Sequence, residues 1–277
     1  MKDPLWVPSK ERIRDTLMYE FMQGCPEKFD SYFDLHEWSI RDMESFWSQF
    51  WDFSNIKYSK SYDSVLKNPV MPGAKWFSGS KLNYAENLLK GDPNQVAVIS
   101  LGESGSAKSV TFRELNLKVS SVQKGLINLG VEKGTIVAGF VPNCVETVII
   151  MLAVSSLGGI WTSCSPDFGS RGVVDRFGQV NPHILITSNG YSYNGKLFNL
   201  EDKVNGVLNA IDSIQHVVEI EYVDISSNFN HVSVVSFDTS TSFSNVLSSG
   251  RSMSAPGPDV SIGTVFFSSS GIVILLC

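Results

Sequence analysis

Ile136-Val137-Ala138-Gly139-Phe140-Val141, then Val145 to Leu157 after a three-residue break, then Gly159-Ile160-Trp161-Thr162-Ser163, is the stretch that decides the fold. The first run is short, apolar and rich in branched side chains, which suits a strand covered on both faces. The second is too long for such a strand, and Pro142-Asn143 before it and Gly158-Gly159 after it are a helix's punctuation. The third returns to strand character. A strand, a crossover helix and a second strand define a βαβ unit, whose strands must run parallel.

The same alternation extends in both directions. Downstream, a helix from Gly172 to Val180 is stopped by Asn181-Pro182, and His183 to Thr187 is a strand. Leu197 to Ala210 then reads as a helix and His216 to Tyr222 as a strand. Upstream, Val96 to Ser100 reads as a buried strand, and Thr111-Phe112-Arg113-Glu114 is a capping box opening a helix. Leu115, Val119, Val122, Leu126 and Leu129 form that helix's apolar face, and Gly130 terminates it. The fold class is therefore α/β: repeated βα units forming a mostly parallel sheet with helices on both faces.

The first 90 or so residues are different. Phe46, Trp47, Phe50, Trp51 and Phe53 paint a wide aromatic stripe on a helix opening near Ser39 or Asp42. Leu82 to Leu89 is one further short helix. The organisation expected is an aromatic-rich helical segment over 1–90 and an α/β domain over 91–277. Within the latter, regular order decays between about Asp224 and Pro258; Ser, Thr, Asn and Asp crowd Ser226 to Ser254, which reads as a surface excursion with one short helix near Phe243 to Leu247.

Composition narrows the function. A net charge of −6 and the lack of any basic block argue against nucleic acid as partner. Four widely spaced cysteines, Cys25, Cys144, Cys164 and Cys277, show no metal or redox spacing and suit reduced thiols in the cytosol. The amino terminus has no basic-then-apolar leader pattern, and the longest apolar run, Val145 to Ile160, is interrupted and short for a bilayer, so no membrane span is expected. No GxGxxG follows an early strand and no GxSxG elbow occurs, which disfavours dinucleotide chemistry and a serine hydrolase. His36, His183, His216 and His231 are scattered, so neither a metal centre nor a histidine base is signalled.

Three places remain for chemistry. Thr264-Val265-Phe266-Phe267 is a strand-like run emptying into Ser268-Ser269-Ser270-Gly271, the layout that offers amides and hydroxyls to a phosphate. The following Ile272 to Cys277 carries neither glycine nor lysine, so the loop lacks its usual second half. Ser163 to Gly169 follows a strand and precedes a helix, where a parallel sheet presents ligands, with Asp167 or Ser170 placed to cap the helix. Tyr191 to Lys196 follows the next strand on the same edge, and Lys196 is placed to meet a phosphate there.

Taken in order, Leu82-Asn83-Tyr84-Ala85-Glu86-Asn87-Leu88-Leu89, Trp161 to Gly169, Val174-Asp175-Arg176-Phe177 and Tyr193-Asn194-Gly195-Lys196 resemble the acetoacetyl-CoA synthetases of the acyl-adenylate-forming superfamily. Leu35 to Ile40 with Phe46-Trp47 is similar to the segment that begins acetyl-CoA and acetoacetyl-CoA synthetases. The resemblance implies an incomplete large domain of a two-step ligase using ATP with Mg²⁺ and CoA: acetoacetate attacks the α-phosphate to give an acyl adenylate, and the CoA thiol displaces AMP. It places Ser268 and Ser269 on the ATP loop, and Phe168, Gly169 and Lys196 near the CoA entrance, with Lys196 facing the 3′-phosphate. The catalytic lysine belongs to a mobile carboxy-terminal domain that these 277 residues do not contain, so no catalytic residue and no metal ligand is assigned. The resemblance further implies cytosolic lipid metabolism, small-molecule substrates, and a chain inactive by itself. The alternatives are a non-catalytic module that binds CoA or a full-length synthetase, and a portion of a ligase for another short acid.

Overall fold

The computed structural model describes residues 5–102, 105, 107–227 and 229, and the backbone of 233–237. These residues form two compact units that divide between Lys81 and Leu82.

In the first unit, α1 (Lys10–Arg14), α2 (Leu17–Gly24), α3 (Tyr32–Arg41) and α4 (Met43–Phe53) precede an antiparallel pair, β1 (Ser64–Lys67) and β2 (Lys75–Ser78). The aromatic helix opens at Asp42, whose carboxylate accepts from the Ser45 amide; Ser39, the other expected start, lies inside α3. Phe46, Phe50 and Phe53 present their rings edge-on to the buried Phe21 at 5.7, 5.8 and 5.2 Å. Trp51, on another side of α4, meets Tyr58, Tyr62 and Phe77. The stripe thus packs against the buried Phe21, Leu35 and Trp38 through Phe46 and Phe53, with Trp51 its one buried member, and edge-to-face pairs of this kind add to the stabilisation from burial alone.

The second unit runs α5 (Tyr84–Leu88), β3 (Val96–Leu101), β4 (Ala107–Thr111), α6 (Phe112–Asn128), β5 (Ile136–Phe140), α7 (Val145–Ser156), β6 (Ile160–Cys164), α8 (Ser170–Phe177), β7 (Ile184–Ser188), β8 (Gly190–Tyr193), β9 (Lys196–Asn199), α9 (Glu201–Leu208), β10 (His216–Ile220) and β11 (Ser233–Phe237). Five strands pair in parallel in the order β11-β10-β7-β5-β6. Alternate residues of each strand feed two different cores. Val137, Ile184, Ile186, Val218 and Ile220 pack with α5, α6 and α7, whereas Ala138, Phe140, Leu185 and Val217 pack with α8 and α9. Helices therefore cover both faces, and the expected α/β architecture is present. The Thr111–Glu114 capping box opens α6, and Gly130, at φ +81°, follows its end.

Four local readings are corrected. Val96 to Ser100 is not a buried member of the sheet: β3 forms a separate antiparallel hairpin with β4, leaving Val96, Ile99 and Leu101 exposed. The helix read over 197–210 is only Glu201–Leu208, because Asn194 and Gly195, at φ +50° and +71°, make the two-residue turn of a hairpin that takes residues 196–199 into β9. The helix read over 172–180 starts at Ser170 and ends at Phe177. The excursion after Asp224 contains β11, which continues the parallel sheet. The helix expected at 243–247 and the strand at 264–267 lie outside the described residues.

Candidate functional site

All five parallel strands end on one edge of the sheet, and the chain leaves β5 toward β6 on one side but returns from β6 to β7 on the other. Neighbouring strands whose connections diverge open a crevice at their carboxyl ends, the usual ligand position in an open α/β sheet. Its lips are the 141–144 turn after β5 and Asn189 after β7, with the β6–α8 loop alongside.

The β6–α8 loop, Ser165 to Gly169, turns tightly. Phe168 N donates to Ser165 O at 3.2 Å, and Ser165 Oγ donates to the Asp167 carboxylate at 3.1 Å. Gly169 is the N-cap of α8 and no side chain caps that helix, so neither Asp167 nor Ser170 plays the capping part expected of it. Gly169 is exposed and Phe168 half-buried. The Arg176 guanidinium lies 4.9 Å from the centre of the Phe168 ring, a cation–π contact that holds a positive charge beside the loop. At the end of β6, burial pushes the Cys164 thiol up to about 12, against the opposing charge of Arg176; Cys164 is a packing residue, not a nucleophile.

The β8–β9 hairpin stands next to this loop. Tyr191 is buried and stacks on Phe198 at 5.2 Å. Burial raises the Tyr191 hydroxyl's pKa, and the negative charge of Asp167 adds to the shift. Lys203 of α9 ties hairpin and loop together: its Nζ donates to Pro166 O at 2.7 Å and lies 5.5 Å from the centre of the Tyr191 ring. Lys196 pairs with Tyr193 across the turn and is exposed at the hairpin's tip. Phe168, Gly169 and Lys196 thus occupy one edge of the sheet, whereas Ser268 and Ser269 lie outside the described residues. Lys203 and Asn189 were not singled out from sequence, and Arg176 stood there only as part of the 174–177 motif. The doubled Asn-Gly at 189–190 and 194–195 was the available signal for the hairpin that brings Lys196 to this edge.

Among the described residues no group of three or more His, Cys, Asp and Glu is placed to hold a metal ion. No helix among them is long and apolar enough to cross a membrane.

A parallel sheet with helices on both faces, and small loops at its carboxyl edge, is an open α/β domain of the kind that binds ligands at that edge. The chain belongs to the AMP-binding enzyme family, whose model matches residues 86–256. A second family model, the acetyl-coenzyme A synthetase N-terminus, matches residues 32–88. More particularly, the chain is similar to the amino-terminal portion of acetoacetyl-CoA synthetases. It is 38% identical to that of Xenopus tropicalis over 225 residues, covering 79% of this chain and 34% of the relative. The acetoacetyl-CoA synthetase structure from Streptomyces lividans matches with a TM-score of 0.81 at 32% identity, covering 93% of this chain and 40% of that one. A malonamoyl-CoA synthetase of Penicillium aethiopicum is 36% identical over 231 residues, 79% of this chain and 32% of the relative. The chain spans about a third of the length of the curated relatives it matches.

Proposed function

We propose that this chain is part of an acetoacetate–CoA ligase, which converts acetoacetate, ATP and CoA to acetoacetyl-CoA, AMP and diphosphate through an acyl adenylate, with Mg²⁺ accompanying the nucleotide. Ser268 and Ser269 are assigned to the ATP loop. The described edge is assigned to CoA: Lys196 meets the 3′-phosphate, and the loop at Phe168 and Gly169 borders the nucleotide end. The observation that carries this reading is the link through Lys203, which binds the Pro166 carbonyl while covering Tyr191 and so holds loop and hairpin as one surface. The residues fit a phosphorylated nucleotide, offering an exposed cation, a half-buried aromatic and a second cation at Arg176, but nothing that would attack a carbonyl.

These 277 residues by themselves are proposed not to complete the reaction, because the similarity extends over only about a third of each relative. Losing even one transition-state contact typically costs on the order of a hundredfold in rate. The acid is proposed to be a short one with a carbonyl at C3. Acetoacetate and malonamate share that feature, and their named synthetases are both similar to this chain. A cytosolic location agrees with Cys25, Cys144 and Cys164 being free thiols.

The test is calorimetric titration of the purified chain with CoA and with dephospho-CoA, which lacks the 3′-phosphate. An exposed ion pair is worth about 1 kcal/mol, or roughly fivefold in affinity. CoA is expected to bind about fivefold more tightly, and Lys196→Ala to abolish the difference without weakening dephospho-CoA. Equal affinities in the unmodified chain would sink the assignment of this edge; equal weakening of both ligands by the substitution would remove Lys196 from the phosphate.

A further inference from the structure

We propose that Asn189 is a positioning residue: it clamps the segment after β10 onto the base of the β8–β9 hairpin and thereby sets where Lys196 stands for the 3′-phosphate. This rests on the assignment of Lys196 made above.

Asn189 is only 4% exposed, and every hydrogen-bonding position of its carboxamide is used. Its Nδ2 donates to Val223 O at 2.6 Å and Ile225 O at 2.7 Å. Its Oδ1 accepts from Tyr222 N at 3.0 Å and Val223 N at 3.2 Å. The backbone of the same residue joins two elements, donating to Ile220 O at 3.2 Å and accepting from Leu200 N at 3.3 Å. One side chain therefore folds residues 222–225 into a strap, while its own peptide groups anchor both the end of β10 and the exit from β9.

The strap presses on the hairpin's base. A Cβ at Gly190 would lie 2.4 Å from Phe198 O, 2.6 Å from Ile225 Cδ1 and 3.0 Å from Val223 Cγ2, so no larger residue fits between strand and strap. Asn199, at the other foot of the hairpin, donates from Nδ2 to Ser226 O at 3.2 Å, and Ser227 Oγ donates to the Glu219 carboxylate. The hairpin is held at both feet and ends in an exposed turn. Lys196 stands three residues beyond Asn199, about 10 Å at the usual rise of a strand, so a tilt of about 10° at the feet moves it by nearly 2 Å. A displacement of that size carries an ammonium from contact distance to beyond the roughly 4 Å span of an ion pair.

Asn189→Asp keeps size and the Oδ1 acceptor but replaces two donors by an oxygen facing two carbonyls. Asn189→Ala removes all four side-chain bonds of the clamp and keeps the two backbone ones. The measurement is the ratio of dephospho-CoA to CoA dissociation constants for the 277-residue chain at pH 8, with circular dichroism confirming the fold. The ratio is expected to fall from about five to near one in both variants, while dephospho-CoA affinity stays within about twofold. A core residue important only for folding would weaken both ligands together. An unmodified ratio near five that survives in both variants overturns the inference and leaves the Lys196 reading standing. An unmodified ratio near one overturns that reading, and the inference with it. Should neither Asn189 variant fold, Asn199→Asp decides: it keeps the oxygen that receives the Glu201 amide and loses only the donor to Ser226 O. A ratio reduced at least twofold supports the clamp, and an unchanged ratio overturns it.

Discussion

Replacing Asn83 by alanine should be among the costlier single changes in the α/β unit. Asn83 is 6% exposed at the start of α5. Its Oδ1 accepts from Glu86 N at 3.2 Å as the N-cap, and its Nδ2 donates to Ser155 O and Ser156 O, both at 3.2 Å, at the end of α7. Alanine loses a cap worth about 1 kcal/mol and strips a donor from two half-buried residues; Ser155 O keeps the Gly158 amide at 3.1 Å, whereas Ser156 O loses its amide donor, and an unmet polar group costs about 1–3 kcal/mol. The sum is about 2–4 kcal/mol. With a urea slope of about 2 kcal/mol/M, the unfolding midpoint of this unit falls by about 1–2 M. Far-UV circular dichroism in urea measures the midpoint, and hydrogen exchange across 83–89 and 145–157 locates the loss. Two further substitutions separate the contributions. Asn83→Ser keeps a cap but loses the carboxamide NH₂ that reaches α7, and should recover only the capping share. Asn83→Asp caps well but turns a carboxylate oxygen toward two carbonyls, so it should be no better than alanine. An Asp variant as stable as the parent chain would refute the assignment of the donor role, and an alanine cost below about 0.5 kcal/mol would refute the whole account.

Two other outcomes test the packing and the electrostatics. Gly139→Ala places a methyl 2.5–2.6 Å from the Trp161 ring on the α7 side of the sheet, so it should cost about 1–3 kcal/mol and perturb the near-UV signal, whereas a neutral result would mean that the ring yields freely. Glu219 is 8% exposed, and burial raises its carboxyl pKa against the hydrogen bond from Ser227, with the charge of Glu221 reinforcing burial. Because the folded pKa exceeds the unfolded one, the stabilisation linked to this proton is complete below the unfolded value, about 4.3, and is lost as pH rises through the folded value. Melting curves from pH 4 to 8 should therefore show Glu219→Gln gaining stability relative to the parent chain as pH rises, and parallel curves would contradict the raised pKa.

The elements legible from sequence were those that local chemistry over-determines. The capping box at Thr111 dictated the start of α6 through hydrogen bonds among four consecutive residues. The apolar runs around Val137 and Ile150 supply much of one core, so their pattern needed no knowledge of partners. Errors fell where an apolar run was short and its partner lay nearby in the chain. Val96 to Leu101 has the composition of a core strand, yet β4 takes up its hydrogen bonds and one side stays exposed. Leu197 to Asn199 reads as the start of a helix because its side chains do not oppose one, whereas the Asn194–Gly195 turn just before it commits it to a hairpin.

The candidate site divides along the same line. Phe168, Gly169 and Lys196 could be named in advance because motif order and the rule that ligands meet parallel strands at their carboxyl ends are both properties of the chain as written. That Lys203 bridges Pro166 and Tyr191, that Arg176 faces Phe168, and that Asn189 reaches Val223 and Ile225 depends on residues 8 to 37 positions apart meeting in space. The sequence by itself determined the α/β class, the parallel sheet and the family, since periodicity, caps and motif spacing act over a few neighbouring residues. The tertiary structure alone decided which strands joined the sheet, which strand edges paired as hairpins and which polar side chains became clamps, because those outcomes depend on long-range partners that satisfy buried hydrogen bonds and fill the space between layers.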